Sequence, residues 1–408
     1  MFKSFYFIFI KENGILEVSN TILEVEKAMR AVTFQGKEKI EVKNMPDPTI
    51  QEPTDAIIKI TSTAICGSDL HLYHHGDLFI EEDYIIGHEP MGIVEEIGPD
   101  VKNLKVGDRI VVPFNVSCGH CHFCTHDMES MCDNSNKNPE TDYGGLFGYG
   151  KLNGDYPGGQ AEFLRIPYAD QNSFKVPDKS IPDEKVLFLS DVVPTAYWSV
   201  EHSGVKEGDT VIVLGSGPIG LLTQKFAKMK GAKRVIAVDH VKHRLEYSAK
   251  KIGVETLNFE DVDLPSLALK DLTNGGADVV IDCVGMDGKE RKLEKVTNKI
   301  SPQRGTTSPI EMASIAVKKF LTIMLTGAYL TPATNFPINN IFSRNITMKM
   351  GQCPVPHLMP KLYDMIVKEE LDPSDIITHI MPLEQAATAY DIFDKKEDNN
   401  IKVVLRPE

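Results

Sequence analysis

No stretch of this 408-residue sequence approaches the roughly 18 consecutive apolar residues that a membrane-spanning helix needs. That excludes a helical membrane protein. Basic residues are in deficit as well: 44 Lys and Arg stand against 58 Asp and Glu, for a formal net charge of −14. Such a balance disfavours nucleic acid and anionic membranes as partners. The N-terminus carries no persuasive export signal. MFKSFYFIFI holds about six apolar residues in a row before Lys11 and Glu12 interrupt them, short even for a signal-peptide core. Residues 1–28 read as an extension ahead of MRAVTFQGKEKIEV, which has the pattern of a domain's first strand. Internal repeats and low-complexity tracts are missing too. Nor do the seven cysteines, an odd number, form the framework of a small secreted protein. A reducing cytoplasm is the expected location.

What is present begins with four of those cysteines. Cys118, Cys121, Cys124 and Cys132 are spaced C-x2-C-x2-C-x7-C. Four soft ligands in one short segment suit a tetrahedral zinc with every position closed, which is a structural site. The competing reading is two disulfides in an oxidising compartment. A closed site performs no chemistry, so the function has to lie elsewhere. Cys283 and Cys353 remain as buried or half-buried thiols.

A second set of residues suits an open metal site. Cys66 lies in TAICGSDLHLYHHG, His88 in IIGHEPMGIVEEIG and Asp191 in LFLSDVVPTAYWSV. A thiolate, an imidazole and a carboxylate leave one coordination position for substrate, as catalytic zinc requires. Each alone reads as a core or turn residue. Ser68 and His71 follow Cys66 closely and suggest a proton path, a hydroxyl beside the metal and an imidazole leading to water. The plainer alternative is a turn cap and a solvated loop residue. Glu89 would orient the ligands, approach the metal as a transient extra ligand or balance charge.

The third constellation is a dinucleotide site. TVIVL at 210–214 reads as a buried strand, followed by Gly215, Gly217, Pro218, Ile219 and Gly220 in GSGPIG, an amphipathic helix ending near Gly231, and the strand RVIAVDH. Its acid, Asp239, stands where the fingerprint places a ribose-binding carboxylate. The glycines permit close approach to a pyrophosphate at a helix N-terminus. A carboxylate at Asp239 repels a 2′-phosphate, so NAD is expected over NADP. Arg244 either tolerates such a phosphate or lies over the adenine.

The predicted class is α/β, with a discontinuous organisation. Residues 29–192 and 344–408 are expected to form a strand-rich zinc-binding domain. Residues 193–343 alternate strand and helix as a doubly wound parallel sheet does. A cleft between the two would set the open metal site opposite the nicotinamide.

Taken together, CGSDLH, GHEPMGIVEEIG, the four-cysteine lobe, GSGPIG and ITHIMPLEQAATAYDIF follow the order of a known family. From Met29 to the end, the chain resembles the zinc-dependent medium-chain alcohol dehydrogenases. VPFNVSCGHC, GGQAEFLRIPYAD and SDVVPTAYW make it most similar to the branch of glutathione-independent formaldehyde dehydrogenase. The resemblance implies a GroES-like catalytic domain, a Rossmann domain, two zinc ions per chain and a homodimer or homotetramer. It also implies Asp191 as the third ligand, Ser68 and His71 as relay groups, and Thr195 against the nicotinamide. The implied reaction moves a hydride between an alcohol or aldehyde hydrate and NAD, giving an aldehyde, ketone or acid. Polyol, sugar, diol or threonine dehydrogenases are rivals within the fold. A non-catalytic NAD-binding zinc protein, or a lyase or isomerase using NAD transiently, is a rival from outside it. Phe114, Asn115 and Trp198 cannot be read as substrate selectors from sequence. One departure stands out: Lys319-Phe320 replaces a customary glycine pair, and without glycine a changed loop is expected.

Overall fold

The computed structural model describes residues 28–76, 80–289, 305–333 and 335–407. Of the extension read at 1–28, all but Ala28 lies outside the described residues, as does 290–304.

Two sheets dominate. The first is built mainly of antiparallel strands. Its central strand, Ala56–Ile65, carries apolar residues on both faces and is buried along most of its length. One edge pairs with Glu89–Ile97; the other is shared between Phe163–Ile166 and the C-terminal strand Lys402–Arg406. That last strand also pairs in parallel with Ile377–Pro382. Lys402–Arg406 therefore returns to the sheet that Ala56–Ile65 began, while Ala28–Phe34 and Ile40–Pro46 pair as a separate hairpin.

The second sheet has six strands, all parallel, in the order Glu255–Asn258, Arg234–Asp239, Thr210–Leu214, Ala277–Asp282, Val317–Leu325, Thr347–Met350. Strand order reverses beside Thr210–Leu214, where ligands bind in such sheets. Thr347–Met350 carries the sheet past residue 343, where the sequence reading ends it. Its run, TMKM, is a short half-exposed edge strand with little apolar signal.

Phe320 corrects another expectation. It takes φ +65° inside Val317–Leu325, so the left-handed geometry is retained without glycine, and the pairing register shifts beside it. The ring is 73% exposed and gains little burial in return.

One apolar cluster joins the sheets. It runs from Ala64, Cys66 and Met91 through Leu187, Phe188 and Val192 to Val211, Leu221 and Met324. The helix Val192–Ser203 lies within this cluster and bridges the two halves. Among the described residues, no helix is long and apolar enough to cross a membrane.

Candidate active site

The four-cysteine lobe is compact. Sγ of Cys121 lies 3.5 Å from that of Cys124 and 4.0 Å from that of Cys132, and Cys118 lies 4.0 Å from Cys124. Four sulfurs around one zinc at its usual bond length would stand about 3.8 Å apart. None of the cysteines is disulfide-bonded, so the paired-disulfide alternative does not apply. Amide N–H groups of His120 and Cys121 and the side chain of Asn134 point at Cys118 Sγ, and the N–H of Cys118 points at Cys132 Sγ. Burial outweighs the donors at Cys132 and keeps its thiol above the ordinary range. Burial opposes ionisation of Cys121, but the N–H groups of Cys124 and Asp133 bring its pKa down to about 7.

Three chain segments meet at the second cluster. Cys66 leaves the end of Ala56–Ile65, His88 precedes Glu89–Ile97, and Asp191 sits in the turn before Val192–Ser203. Sheet pairing of Ala64 with Glu89 brings the first two together. His88 Nε2 lies 3.1 Å from Asp191 Oδ2, and Cys66 Sγ lies 3.4 Å from the same oxygen. Ligand atoms of Cys66, His88, Glu89 and Asp191 all fall within 4.8 Å of one another, and all four residues are buried. Thr195 Oγ1 donates to Asp191 Oδ1 at 2.7 Å, leaving Oδ2 to face the cluster.

Electrostatics test whether a cation belongs here. Burial, then Asp191 and Glu89, push the Cys66 thiol up to about 11. Burial alone would strip charge from His88, yet Tyr149, Asp69 and Asp191 hold its pKa well above the ordinary value. Burial also opposes ionisation of Asp191, but His88 and Thr195 keep its carboxyl low. Glu89 Oε2 is buried with no hydrogen-bond partner. Such crowding of acidic groups and an orphaned carboxylate oxygen are costly unless a cation joins them. The donor set therefore fits a divalent, borderline-soft metal.

Support for the cluster comes from residues that the sequence reading passed over. Asp69 Oδ1 lies 2.9 Å from His88 Nδ1, close enough for an ion pair though not aligned as a hydrogen bond. Asp69 Oδ2 accepts from the Cys66 amide at 2.9 Å and from Gln160 Nε2 at 3.3 Å. Gln160 in turn accepts from the Tyr390 hydroxyl at 2.9 Å. A carboxylate behind a candidate ligand histidine was the available signal, since Asp69 stands inside CGSDLH. Ser68 Oγ lies 3.4 Å from His88 Nε2, and His71 is buried on the wall of the same cavity.

The nucleotide side follows from the parallel sheet. Gly215, at φ +88°, turns the chain out of Thr210–Leu214, and Gly217 caps the helix Pro218–Met229. A Cβ on Gly220 would stand 2.0 Å from the Gly215 carbonyl, so only glycine lets the helix pack this closely. Asp239 ends the next strand. Its carboxylate accepts N–H groups of Ser216, His240 and Val241 at 2.6–2.9 Å, with lone pairs remaining. Arg244 is buried beside it, with Nε unpartnered and Nη1 3.6 Å from where a Cβ on Gly217 would stand. Burial lowers its pKa, and Asp239 opposes that.

A single cavity of about 800 Å³ connects the two sides. Cys66, Ser68, His71, His88, Asp191 and Thr195 line one end; Gly215, Gly217, Pro218, Ile219, Asp239 and Arg244 line the other. Gly220 and Glu89 are not on its wall. Of the residues that sequence left open as selectors, Phe114 lines the cavity. Asn115 instead accepts the Val355 amide at 3.1 Å, and Trp198 stacks on His202.

A doubly wound nucleotide sheet that shares its crevice with a buried thiol–imidazole–carboxylate cluster points to a metal-dependent oxidoreductase. Comparison with known proteins agrees. Residues 52–178 match the alcohol dehydrogenase GroES-like domain, and residues 218–299 match the zinc-binding dehydrogenase family. An uncharacterised zinc-type alcohol dehydrogenase-like protein of Bacillus subtilis, AdhB, is 51% identical over 380 residues, covering 93% of this chain and 100% of its own. The glutathione-independent formaldehyde dehydrogenase of Pseudomonas aeruginosa is 32% identical, covering 90% and 94%. Among solved structures, the alcohol dehydrogenase TADH from Thermus sp. ATN1 superposes with a TM-score of 0.79 at 31% identity, covering 93% of this chain and 100% of that one. The chain belongs to the zinc-dependent alcohol dehydrogenase family and is a zinc-dependent alcohol oxidoreductase with a GroES-like domain and a nucleotide-binding domain.

Proposed function

We propose that this chain is an NAD-dependent zinc alcohol dehydrogenase of the formaldehyde dehydrogenase-like branch. It oxidises an alcohol or an aldehyde hydrate and carries one catalytic and one structural zinc. The observation that carries the reading is the shared cavity, which places Cys66, His88 and Asp191 at one end and Asp239 at the other. In this reading Cys66, His88 and Asp191 hold the catalytic zinc, and the four clustered cysteines hold the structural one. Bound zinc would supply a Lewis acid for the substrate oxygen, and a bound dinucleotide would supply the hydride acceptor.

The chain's own residues do the rest. Ser68 takes the substrate's proton, and His71 passes it towards solvent. Thr195 fixes Asp191 through its hydroxyl and packs against the nicotinamide. Gly215, Gly217, Pro218 and Ile219 present the helix N-terminus to the pyrophosphate, while Gly220 keeps the helix close. Asp239 accepts the ribose hydroxyls and repels a 2′-phosphate; Arg244 flanks the adenosine. Loss of that proton to Ser68, followed by loss of a hydride from the carbon bearing the oxygen to the dinucleotide, would give an aldehyde or ketone, or an acid from an aldehyde hydrate.

The acidic chain and the cysteines drawn into metal clusters support a cytoplasmic location. Thr347–Met350, at the rim of the parallel sheet beside the exposed Ile338 and Phe342, supports pairing with a second copy.

The test is NADH or NADPH formation from formaldehyde, primary alcohols, 2,3-butanediol, sorbitol and threonine, each offered NAD and NADP in turn, with zinc content measured first. Steady NADH production that depends on the catalytic zinc is expected. Two zincs per chain with no turnover of any of these would sink the reading.

A further inference from the structure

A third group of metal-type side chains stands outside both clusters. Asp127 and Glu129 lie in the turn that closes the four-cysteine lobe, between Cys124 and Cys132. His357 comes from the first turn of the helix Val355–Val367. Ligand atoms of the three all fall within 4.8 Å of one another. His357 Nδ1 lies 2.9 Å from Glu129 Oε2, although 228 positions separate the two residues.

Glu129 is the unusual member. Its side chain is only 3% exposed, yet among the described residues the His357 ring is the one partner its carboxylate has. A buried carboxylate with an unanswered oxygen is costly unless a positive charge compensates it. A neutral imidazole supplies none, and Asp127 brings a second negative charge to the same spot. A cation among the three compensates both. Asp127 is exposed and His357 half-buried, so an ion reaches the spot directly from solvent. One imidazole with two carboxylates suits a borderline divalent ion such as zinc, whereas calcium and magnesium take oxygen ligands.

The position gives such an ion leverage. Ser130 and Met131 follow Glu129, Gln352 and Cys353 precede the helix, and all four line the cavity. An ion that joins Glu129 to His357 therefore ties together two separate pieces of the cavity wall. We propose that Asp127, Glu129 and His357 form a further, exchangeable zinc site that clamps the cysteine lobe to the helix Val355–Val367. The site stands apart from the reading of the other two clusters and uses none of their residues.

The test is equilibrium dialysis of the full-length protein against zinc, after a mild chelator has removed weakly held metal. Wild type is expected to take up one ion per chain beyond those it retains through the chelator. H357Q and D127N should each weaken that uptake at least 10-fold and leave the retained ions unchanged. His122 and His126, whose rings lie 4.4 Å apart in the same lobe, are the competing surface site. H122Q/H126Q should keep the extra ion. Hydrogen exchange reads the clamp: added zinc should slow amides of residues 127–132 at least 10-fold in wild type and leave them unchanged in H357Q. The proposal is overturned by the absence of an extra ion in wild type, by uptake that H357Q and D127N do not weaken, or by loss of the ion in H122Q/H126Q. Should H357Q disturb the fold, D127N, on an exposed side chain, decides under the same outcomes. The number of ions retained through the chelator reports separately on the other two clusters.

Discussion

Asp69 Oδ1 lies 2.9 Å from His88 Nδ1, and both side chains are sealed from solvent. The same carboxylate accepts the backbone N–H of Cys66. One residue therefore sets the orientation of two groups of the candidate metal cluster that sequence places 22 positions apart, at 66 and 88.

Replacing Asp69 by Ala should loosen the catalytic metal selectively. Loss of a carboxylate behind a ligating histidine typically costs 10–100-fold in metal affinity or activity, so about that loss is expected. Zinc analysis after mild chelation should fall from about two ions to about one per chain, with the four-cysteine site still filled. Unchanged retention of both ions would show that Asp69 does not support His88.

Asp239 is expected to set the choice of dinucleotide. D239S removes the carboxylate, leaves Arg244 uncompensated in the same groove and keeps one hydroxyl for the exposed amides. The ratio of kcat/KM for NAD over NADP should fall by about 100-fold, because a repulsive charge is replaced by a free guanidinium. An unchanged ratio would place discrimination elsewhere in the cavity.

Phe320 offers a test of backbone strain away from the site. Its left-handed φ costs an L-residue about 1–2 kcal/mol, and an exposed ring returns little of this. F320G removes that cost but adds chain entropy of about 0.5–1 kcal/mol to the unfolded state. Chemical denaturation should therefore show a net gain of about 0.5 kcal/mol. A clear loss of stability would mean that the ring makes contacts that matter.

The hairpin Ala28–Phe34 with Ile40–Pro46 provides a pH-dependent contact. Arg30 pairs with Glu162 at 2.7 Å, and Glu162 also accepts the Arg30 amide. Burial raises the carboxyl's pKa, but the Arg30 guanidinium and amide outweigh it and hold the folded value below the ordinary one. A depressed acid stabilises the fold above its unfolded pKa of about 4.3, and that contribution disappears as pH falls through the lower folded value. Wild type should exceed E162Q in stability by about 0.5–1 kcal/mol near neutrality, after allowance for screening. The two Tm curves should converge as pH drops below about 4. Parallel curves across that range would show the pair to be inert.

Much of the site is written locally. Cys118 to Cys132 form their lobe within one short segment, so spacing suffices to see it. GSGPIG likewise announces its turn, because glycine tolerates what other residues cannot at Gly215 and Gly220. Lys402 is the opposite case. In IKVVL it reads as an ordinary charge at a strand end, yet it meets Glu89 across 313 residues of chain. Asp69 reaches Gln160 across 91 positions and Gln160 reaches Tyr390 across 230. No pattern in any one segment contains such contacts.

The sequence by itself determined the chemistry available: soft and nitrogen ligands at metal spacing, a glycine turn after a buried strand, and an acid at the next strand's end. Each of these depends on residue type and on neighbours a few positions away. Tertiary structure alone decided which of those groups share a cavity, which carboxylate stands behind His88 and which cation faces Glu89. Those relationships arise from strand pairing between distant segments, where register, rather than sequence proximity, sets what touches what.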